Sequence, residues 1–149
     1  MKLTTIRQAT LSDLDALAPL FDEYRQFYGR ASDITAAREF LLNRFNHGES
    51  VLFLASTGDT PVGFTQLYPS FSSVSLARTF ILNDLFVAPA ERRQGIASQL
   101  LTAAVDYARN VNAVRLSLAT EITNQTAQAL YHSAGWKQDE QFLVYHFTP

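Results

Sequence analysis

Residues 80–97, FILNDLFVAPAERRQGIA, decide the fold because they lead from a strand into a helix through a short basic turn. The run Phe80–Val87 is rich in residues that favour β-structure, and it stops just before Pro89. After the turn, apolar residues recur at the four-residue spacing of a helix: Ile96, Leu100, Ala104 and Ala108. The first turn of a helix has free backbone N–H groups and the positive end of the helix dipole. Gly95 and Ala97 have almost no side chain, so the stretch predicts a backbone cradle for a phosphate or pyrophosphate.

Taken alone, the hexapeptide RRQGIA has two interpretations. Arg92 and Arg93 add positive charge beside the turn, which favours anion binding, but solvated arginines are also common in ordinary strand-to-helix loops. Two well-known phosphate loops are excluded, because the chain contains neither GxxxxGK[ST] nor GxGxxG. The turn therefore indicates neither a nucleoside triphosphatase nor a dinucleotide-binding protein of the Rossmann type.

Composition narrows the class of protein. The chain has 149 residues, which suits a single domain over 1–149, with 47% hydrophobic and 17% charged residues. Its net charge of −2 lacks the basic excess of a nucleic-acid-binding protein, so no nucleic-acid partner is expected. The chain has no cysteine, which excludes disulfides, zinc–thiolate sites and a cysteine nucleophile. The spacing of its three histidines suggests no metal site.

The distribution of apolar residues gives the expected location. The first ten residues, MKLTTIRQAT, lack the apolar core of a signal peptide. No apolar run approaches the ~20 residues that a membrane-spanning helix needs. These features predict a soluble, cytoplasmic protein that does not engage a membrane.

Periodicity and turn residues predict the element order β-α-α-β-β-β-α-β-α-β-β, a mixed α/β domain with one sheet. The predicted strands are 3–8, 50–56, 61–68, 78–87 and 114–118, with the last strands from Trp136 and over 142–147. The predicted helices run from about residue 13 to Gly29, then over 33–46, 94–110 and 124–134. Residues 69–77 read as a serine-rich loop.

The second half of the chain resembles the GNAT superfamily of acyl-CoA-dependent N-acetyltransferases. The family pattern [Q/R]xxGx[G/A] is matched by Arg92, Gly95 and Ala97. The family's later motif is matched residue by residue as well: Asn124, Tyr131, Gly135 and Trp136. The specific match covers about residues 78–136, and the N-terminal half matches in element order only. Within the superfamily, NDLFV and NxxAQxLYxxxG look most like a branch that contains fungal histone and polyamine acetyltransferases.

The resemblance implies a site for acetyl-CoA and no metal. The backbone amides of Arg93, Gln94, Gly95, Ile96, Ala97 and Ser98 would cradle the pyrophosphate, with Arg92 beside them. The strand at Leu85, Phe86 and Val87 would splay from its neighbour and pair with the pantetheine arm, which is a form of β-augmentation. Asn124 would position the cofactor or cap its helix. The aromatic cluster of Tyr24, Phe27 and Tyr28 would border the acceptor pocket.

The resemblance also implies catalytic roles. Tyr131 would act as the general acid that protonates the departing thiolate, since the two groups have similar basicity. Many relatives place a glutamate where this chain has Asn83, so the general base is open among three carboxylates: Asp84, Glu121 and Glu23. Strand alternation predicts that Asp84 points to the sheet face opposite Asn83. Asp84 is equally compatible with a buried, hydrogen-bonded structural role.

The expected function is direct transfer of acetyl from acetyl-CoA to a primary amine in a ternary complex. The acceptor is open among a polyamine, a small amine, an amino acid and a protein lysine. The alternative is a non-catalytic acyl-CoA-binding or sensing domain, which the missing glutamate at Asn83 motivates. A homodimer is expected because relatives of this branch commonly dimerise, and because the predicted last strand over 142–147 is apolar on both faces.

Overall fold

The computed structural model describes residues 2–149, which form two compact units. The first unit ends at Ala119 and contains the sheet and three helices, whereas the second runs from Thr120 to Pro149 and contains one helix. Each unit is described by itself below. That residues 1–149 act as one domain stays a prediction.

The elements follow the predicted mixed α/β order through the fourth helix. The helices are Leu14–Phe27 (α1), Ile34–Asn46 (α2), Ile96–Asn110 (α3) and Gln125–Ser133 (α4). The strands are Thr4–Gln8 (β1), Val51–Thr57 (β2), Thr60–Ser72 (β3), Ala77–Val87 (β4) and Arg115–Ser117 (β5). The mixed α/β class with one sheet, predicted from the sequence, is therefore confirmed.

The sheet has the order β1-β2-β3-β4-β5, antiparallel throughout except for the parallel pair β4–β5. Its longest ladder joins β3 to β4, from Gly63 opposite Val87 to Ser72 opposite Ala77. The prediction of a loop over 69–77 was wrong for most of that range, because these residues continue both strands and only 73–76 form the turn. Serine-rich composition indicates a loop only where no partner strand supplies hydrogen bonds.

Helices cover both faces of the sheet. The face toward α1 and α2 holds a continuous apolar core: Leu17, Phe21, Leu41, Leu52, Leu54, Phe64 and Phe86. The opposite face packs on α3, where the Tyr107 ring makes edge contacts with Phe53 at 5.8 Å and Phe80 at 5.5 Å between centroids. Leu52 and Phe53 are adjacent on β2 and face opposite helices, as the two-residue period of a strand requires.

A β-bulge in the middle of β4 changes which residues face α1. Gln66 lies opposite Asp84, but the next residue of β3, Leu67, lies opposite Leu82, so Asn83 has no partner across the ladder. An extra residue in one strand shifts the alternation beyond it. Phe80 consequently packs toward α3 while Phe86, six residues later, packs toward α1. The bulge therefore sets the orientation of the side chains around Asp84.

The pairing between β4 and β5 is short. Thr79, Phe80 and Ile81 lie opposite Arg115, Leu116 and Ser117, and the two strands do not pair beyond this point. Within the described residues, the remainder of β4, 82–87, is thus hydrogen-bonded to a strand on the β3 side only. This gap corresponds to the splay that the family resemblance implies at Leu85, Phe86 and Val87.

The C-terminal unit is built on α4. The Asn124 side chain accepts a hydrogen bond from the Ala127 N–H at 3.1 Å, and Gly135 ends the helix with a φ of 92°. The last two strands of the predicted order are not formed, since residues 137–149 contain neither helix nor strand. The prediction rested on a run of apolar and aromatic residues, which shows that a segment can enter a sheet but supplies no partner for its backbone groups. In residues 2–149, no helix is long and apolar enough to cross a membrane.

Candidate active site

The turn before α3 presents a row of backbone N–H groups to solvent. Arg93 and Gly95 both have left-handed backbone conformations, with φ of 63° and 78°. Across residues 2–149, no acceptor receives a hydrogen bond from the amides of residues 93–98. A Cβ at Gly95 would meet no atom within 4 Å, so the space in front of this backbone is open. Left-handed residues within such a turn make successive N–H groups converge into an anion-binding concavity.

Arg92 has a different position from the other residues of the turn. Its Nε donates to the Val87 carbonyl oxygen at 2.9 Å, and its guanidinium lies 5.4 Å from the Phe27 ring centroid and 5.7 Å from that of Phe86. These contacts tie the turn to the end of β4 and place a positive charge over two aromatic faces. Arg92 therefore holds the turn in place, while the amides of 93–98 remain open to an external acceptor.

A cavity of about 530 Å³ lies between α1, α2, β3 and β4. Its walls are mainly aromatic, from Phe21, Tyr24, Tyr28, Phe40 and Tyr68. Its polar lining includes two arginines and two β4 residues: Arg25, Arg30, Asn83 and Asp84. An apolar cavity with a few convergent polar groups is the usual form of a small-molecule site.

Among the described residues that line this cavity, Asp84 is the only carboxylate, and it is almost completely buried at 2% exposure. One carboxylate oxygen accepts from Gln66 Nε2 at 2.5 Å and the other from Asn83 Nδ2 at 2.8 Å. Burial raises the pKa of Asp84 above its usual value, and the hydrogen bonds from Gln66, Asn83 and Tyr24 oppose that rise. A carboxylate with a raised pKa in a cleft is a candidate general base.

The prediction from alternation that Asp84 faces away from Asn83 was wrong. Both side chains line the same cavity, and they are hydrogen-bonded to each other. The bulge at Asn83 removes it from the ladder, so the two neighbours no longer occupy opposite faces. Asp84, the residue after the position where many relatives have a glutamate, thereby supplies a carboxylate to the cavity.

Two tyrosines of the cavity interact with this carboxylate. Burial and the nearby charge of Asp84 raise the pKa of Tyr24 and of Tyr68 far above the usual phenol value. The Tyr24 hydroxyl donates to the Asn83 carbonyl oxygen at 3.4 Å. Both phenols therefore remain protonated at neutral pH and act as hydrogen-bond donors rather than as bases.

The remaining predicted residues lie outside this cavity lining. Asn124 caps α4, as one of its two predicted roles required. Tyr131 lies in α4, with its ring 6.2 Å from that of Trp136 between centroids. Glu121 and Glu23 are exposed, and the described residues offer neither carboxylate a salt-bridge partner. Residues 2–149 contain no cluster of three His, Asp or Glu side chains able to hold a metal ion.

Sequence reasoning missed four residues of the cavity region: Arg25, Arg30, Gln66 and Tyr68. Gln66 is completely buried, and its Oε1 has no hydrogen-bond partner among the described residues. A glutamine within a run of apolar strand residues was the available signal, because a buried amide needs a polar neighbour. Arg25 lies in the last turn of α1 and Arg30 in the loop after Gly29, where basic residues are ordinary, and neither gave such a signal.

Comparison with known proteins agrees with this geometry. A family model described as "Acetyltransferase (GNAT) family" matches residues 17–136. An uncharacterized N-acetyltransferase of Bacillus subtilis, YhfO, is 49% identical over 140 residues and 94% of each chain. A crystal structure of a probable acetyltransferase superposes with a TM-score of 0.93, at 47% identity over 97% of each chain. A Caenorhabditis elegans protein named thialysine N-epsilon-acetyltransferase is 28% identical, with 91% of this chain and 84% of that protein covered.

The chain belongs to the GNAT family of acetyltransferases. It is therefore an acyl-transferring enzyme of the N-acetyltransferase type, and acetyl-CoA is the acetyl donor that this family uses. The residues present fit that donor. The open amides of 93–98 can receive a pyrophosphate, and the unpaired edge of β4 can receive an extended amide-containing arm.

Proposed function

We propose that this enzyme transfers the acetyl group of acetyl-CoA directly to the primary amine of a small acceptor, a polyamine or a lysine, with Asp84 as general base. The observation that carries the proposal is the buried Asp84 carboxylate, which lines an aromatic cavity. Asp84 lies on β4, in the part of that strand, 82–87, that does not pair with β5. The name of the Caenorhabditis elegans relative supports a primary amine as the acceptor group.

The cavity can bind and deprotonate an amine. A primary amine with a pKa near 10 arrives mostly as an ammonium ion. The aromatic walls and the Asp84 carboxylate attract that cation, and removal from water lowers the pKa of the ammonium. Burial has already raised the pKa of Asp84, so the gap between the pKa of the ammonium ion and that of Asp84 becomes smaller. Proton transfer to Asp84 then leaves a neutral, nucleophilic nitrogen.

Acetyl-CoA, when bound, would supply a thioester carbonyl as the electrophile. The amides of 93–98 would hold its pyrophosphate, and the free backbone groups at Leu85–Val87 would hold the arm and polarise the carbonyl. The C–N bond forms as the C–S bond breaks. The ammonium ion would give one proton to Asp84 before attack. As the C–S bond breaks, the thiolate would take a proton from Tyr131, and the attacking nitrogen would give its second proton to the Tyr131 phenolate. Asp84 would then release its proton to water, so the net products are the amide, the free thiol and one H⁺.

Tyr131→Phe is expected to lower kcat by roughly 10²-fold and to leave acetyl-CoA affinity nearly unchanged. The ring is kept, so its packing beside Trp136 is retained, and only the proton donor is lost. We place the effect at the low end for general acids because water can also protonate a thiolate. Steady-state kinetics and calorimetry with coenzyme A measure the two quantities. A wild-type kcat in the folded variant would assign Tyr131 a structural role.

The experiment that tests the proposed function is turnover of acetyl-CoA with a panel of diamines, polyamines, amino acids and lysine-containing peptides. Release of free thiol reports the reaction, and mass spectrometry identifies the acetylated nitrogen. Acetylation of at least one primary amine well above the buffer rate is the expected result. Tight coenzyme A binding without any acetylated amine would favour an acyl-CoA-sensing domain instead.

We also propose that the protein forms a homodimer through its C-terminal segment. The run 142–147 carries five large apolar or aromatic side chains, each between 73% and 88% exposed: Phe142, Leu143, Val144, Tyr145 and Phe147. A contiguous apolar stretch of this kind usually marks an interaction surface. Light scattering at micromolar protein is expected to give twice the chain mass of 16.7 kDa. A monomer mass that does not change with concentration would contradict the dimer.

A further inference from the structure

The end of α1 brings two arginines together at the cavity. The Arg30 N–H donates to the Arg25 carbonyl at 3.0 Å, and the Gly29 N–H donates to the Gln26 carbonyl at 2.9 Å. Gly29 has a φ of 85°. These two hydrogen bonds around a left-handed glycine define a Schellman motif. The motif places the residue after the glycine, Arg30, next to the last-turn residue Arg25.

This arrangement juxtaposes two like charges. In a Schellman motif these two positions frequently make an apolar contact. Here both are arginines, and both line the cavity that contains Asp84. Within residues 2–149, no carboxylate lies within 4 Å of either guanidinium. The negative end of the helix dipole favours basic residues here. It carries only about half a negative charge, whereas the two guanidinium groups carry two positive charges.

The buried carboxylate of α1 already has hydrogen-bond partners. Asp22 is buried, and one of its oxygens accepts from Ser32 Oγ at 2.7 Å and Gln26 Nε2 at 3.1 Å. The other oxygen accepts from the Asp33 N–H at 2.8 Å. These bonds tie the loop that carries Arg30 to α1. The loop is therefore held in place, and its arginine remains available to an external anion.

We propose that Arg25 and Arg30 bind an anionic group of the acceptor. The acceptor is then a molecule with a primary amine at one end and a carboxylate or phosphate at the other. This inference rests on the proposed function, because the amine end needs Asp84. Of the described residues in the cavity lining, only Asp84, Arg25 and Arg30 have charged side chains. With Asp84 ionised, the site carries a net charge of about +1, which disfavours a polyamine and favours an acceptor with one added negative charge.

The test uses a matched set of primary amines that differ only at the far end of the chain. Hexylamine ends in a methyl group, 6-aminohexanoate in a carboxylate, 5-aminopentylphosphonate in a phosphonate and cadaverine in a second amine, and each type is tested at several chain lengths. The carboxylate or phosphonate is expected to raise kcat/KM roughly 10- to 100-fold over the methyl-ended amine. Cadaverine is expected to be the poorest acceptor. A higher kcat/KM for the carboxylate than for the phosphonate would indicate an acceptor that ends in a carboxylate, and the reverse would indicate one that ends in a phosphate.

In the variant Arg25→Gln/Arg30→Gln, the ratio of kcat/KM for the anion-ended amine to that for the methyl-ended amine is expected to fall to about 1. Glutamine is a good helix former, so α1 is retained. Arg38→Gln is the matched control, because Arg38 lies on the exposed side of α2, pairs with Asp15 and does not line the cavity. The control is expected to keep the wild-type preference. Equal kcat/KM for all four ends, or an unchanged preference in the double variant, would overturn the anion site.

A binding measurement separates this inference from the proposed function. Thermal shift with 6-aminohexanoate should stabilise the wild-type protein and should not stabilise the double variant, whether or not acetylation occurs. Stabilisation without turnover of any amine would refute the proposed function and keep the anion site. Turnover of amines without any effect of the far-end charge would refute the anion site and keep the proposed function.

Discussion

Replacing Asp84 by Asn is expected to lower kcat by 10²- to 10⁴-fold while the protein stays folded. The substitution keeps the size of the side chain and removes only its ability to take a proton. Within residues 2–149 no other acid lines the cavity, so no neighbour there can replace Asp84 as the base. Steady-state kinetics with the best acceptor, together with circular dichroism of the variant, measure the two parts of this prediction.

The same variant is expected to be at least as stable as the wild type at neutral pH. Because burial raises the pKa of Asp84 in the folded state, its ionisation opposes folding. The stability that the protonated group contributes is fully present below its unfolded pKa and is lost as pH rises through the folded pKa. An asparagine avoids that loss, and its amide can donate to Gln66 Oε1, which has no partner, after Gln66 turns its amide around.

Asp22→Asn provides the matched comparison, since Asp22 is equally buried but lies outside the cavity lining. Its carboxylate accepts three hydrogen bonds, so the amide loses at least one and the variant is expected to be less stable than Asp84→Asn. Urea denaturation of the two variants tests the contrast. A large loss of stability in Asp84→Asn with little change in kcat would make Asp84 a structural carboxylate.

The pH dependence of catalysis follows from the same burial. The free enzyme needs an ionised Asp84, so kcat/KM is expected to rise with pH through an apparent pKa above the usual 3.8 of an aspartate. Tyr24 and Tyr68 have raised pKa values and contribute no ionisation near neutrality. A kcat/KM that is constant from pH 4 to pH 8 would exclude Asp84 as the base.

The open turn before α3 was predictable from residues alone, whereas the orientation of Asp84, the proposed base, was not. A helix start that follows a strand, with a glycine at the turn, specifies where free amides accumulate. The structure places Gly95 at the start of α3 in a left-handed conformation, which the residue pattern alone did not predict. The side chain of Asp84, by contrast, is oriented by a bulge that depends on how β3 and β4 align around Gln66. The alignment of two strands depends on tertiary contacts, and the alternation of side chains along one strand does not predict it.

The C-terminal run 142–147 is a second case in which the sequence alone did not predict the structure. A run of apolar and aromatic residues over 142–147 predicted a strand, but the described structure contains none there. A strand is stabilised by its partner, and the run itself records only that its side chains are apolar. The pair of arginines at the end of α1 was missed for a related reason. Arg25 and Arg30 are five residues apart in sequence, and only the Schellman geometry makes them neighbours.

Replacing Gly95 by Glu is expected to lower coenzyme A affinity by about 10³-fold. A new carboxylate would stand in front of the amides of 93–98, where the open space at Gly95 leaves it free to do so. Two like charges about 4 Å apart near a protein surface repel by about 4 kcal/mol, which corresponds to that loss of affinity. Calorimetric titration with coenzyme A measures the change.

The matched control is Gly48→Glu. Gly48 follows the end of α2, has a φ of 62°, and likewise has no atom within 4 Å of an added Cβ. Both variants introduce one negative charge and one left-handed non-glycine residue, which costs about 1–2 kcal/mol of stability in each. Only Gly95→Glu places the charge at the proposed pyrophosphate site, so only this variant should lose coenzyme A. Equal affinity in the two folded variants would show that the donor binds elsewhere, because the general effects of charge and backbone strain are the same in both.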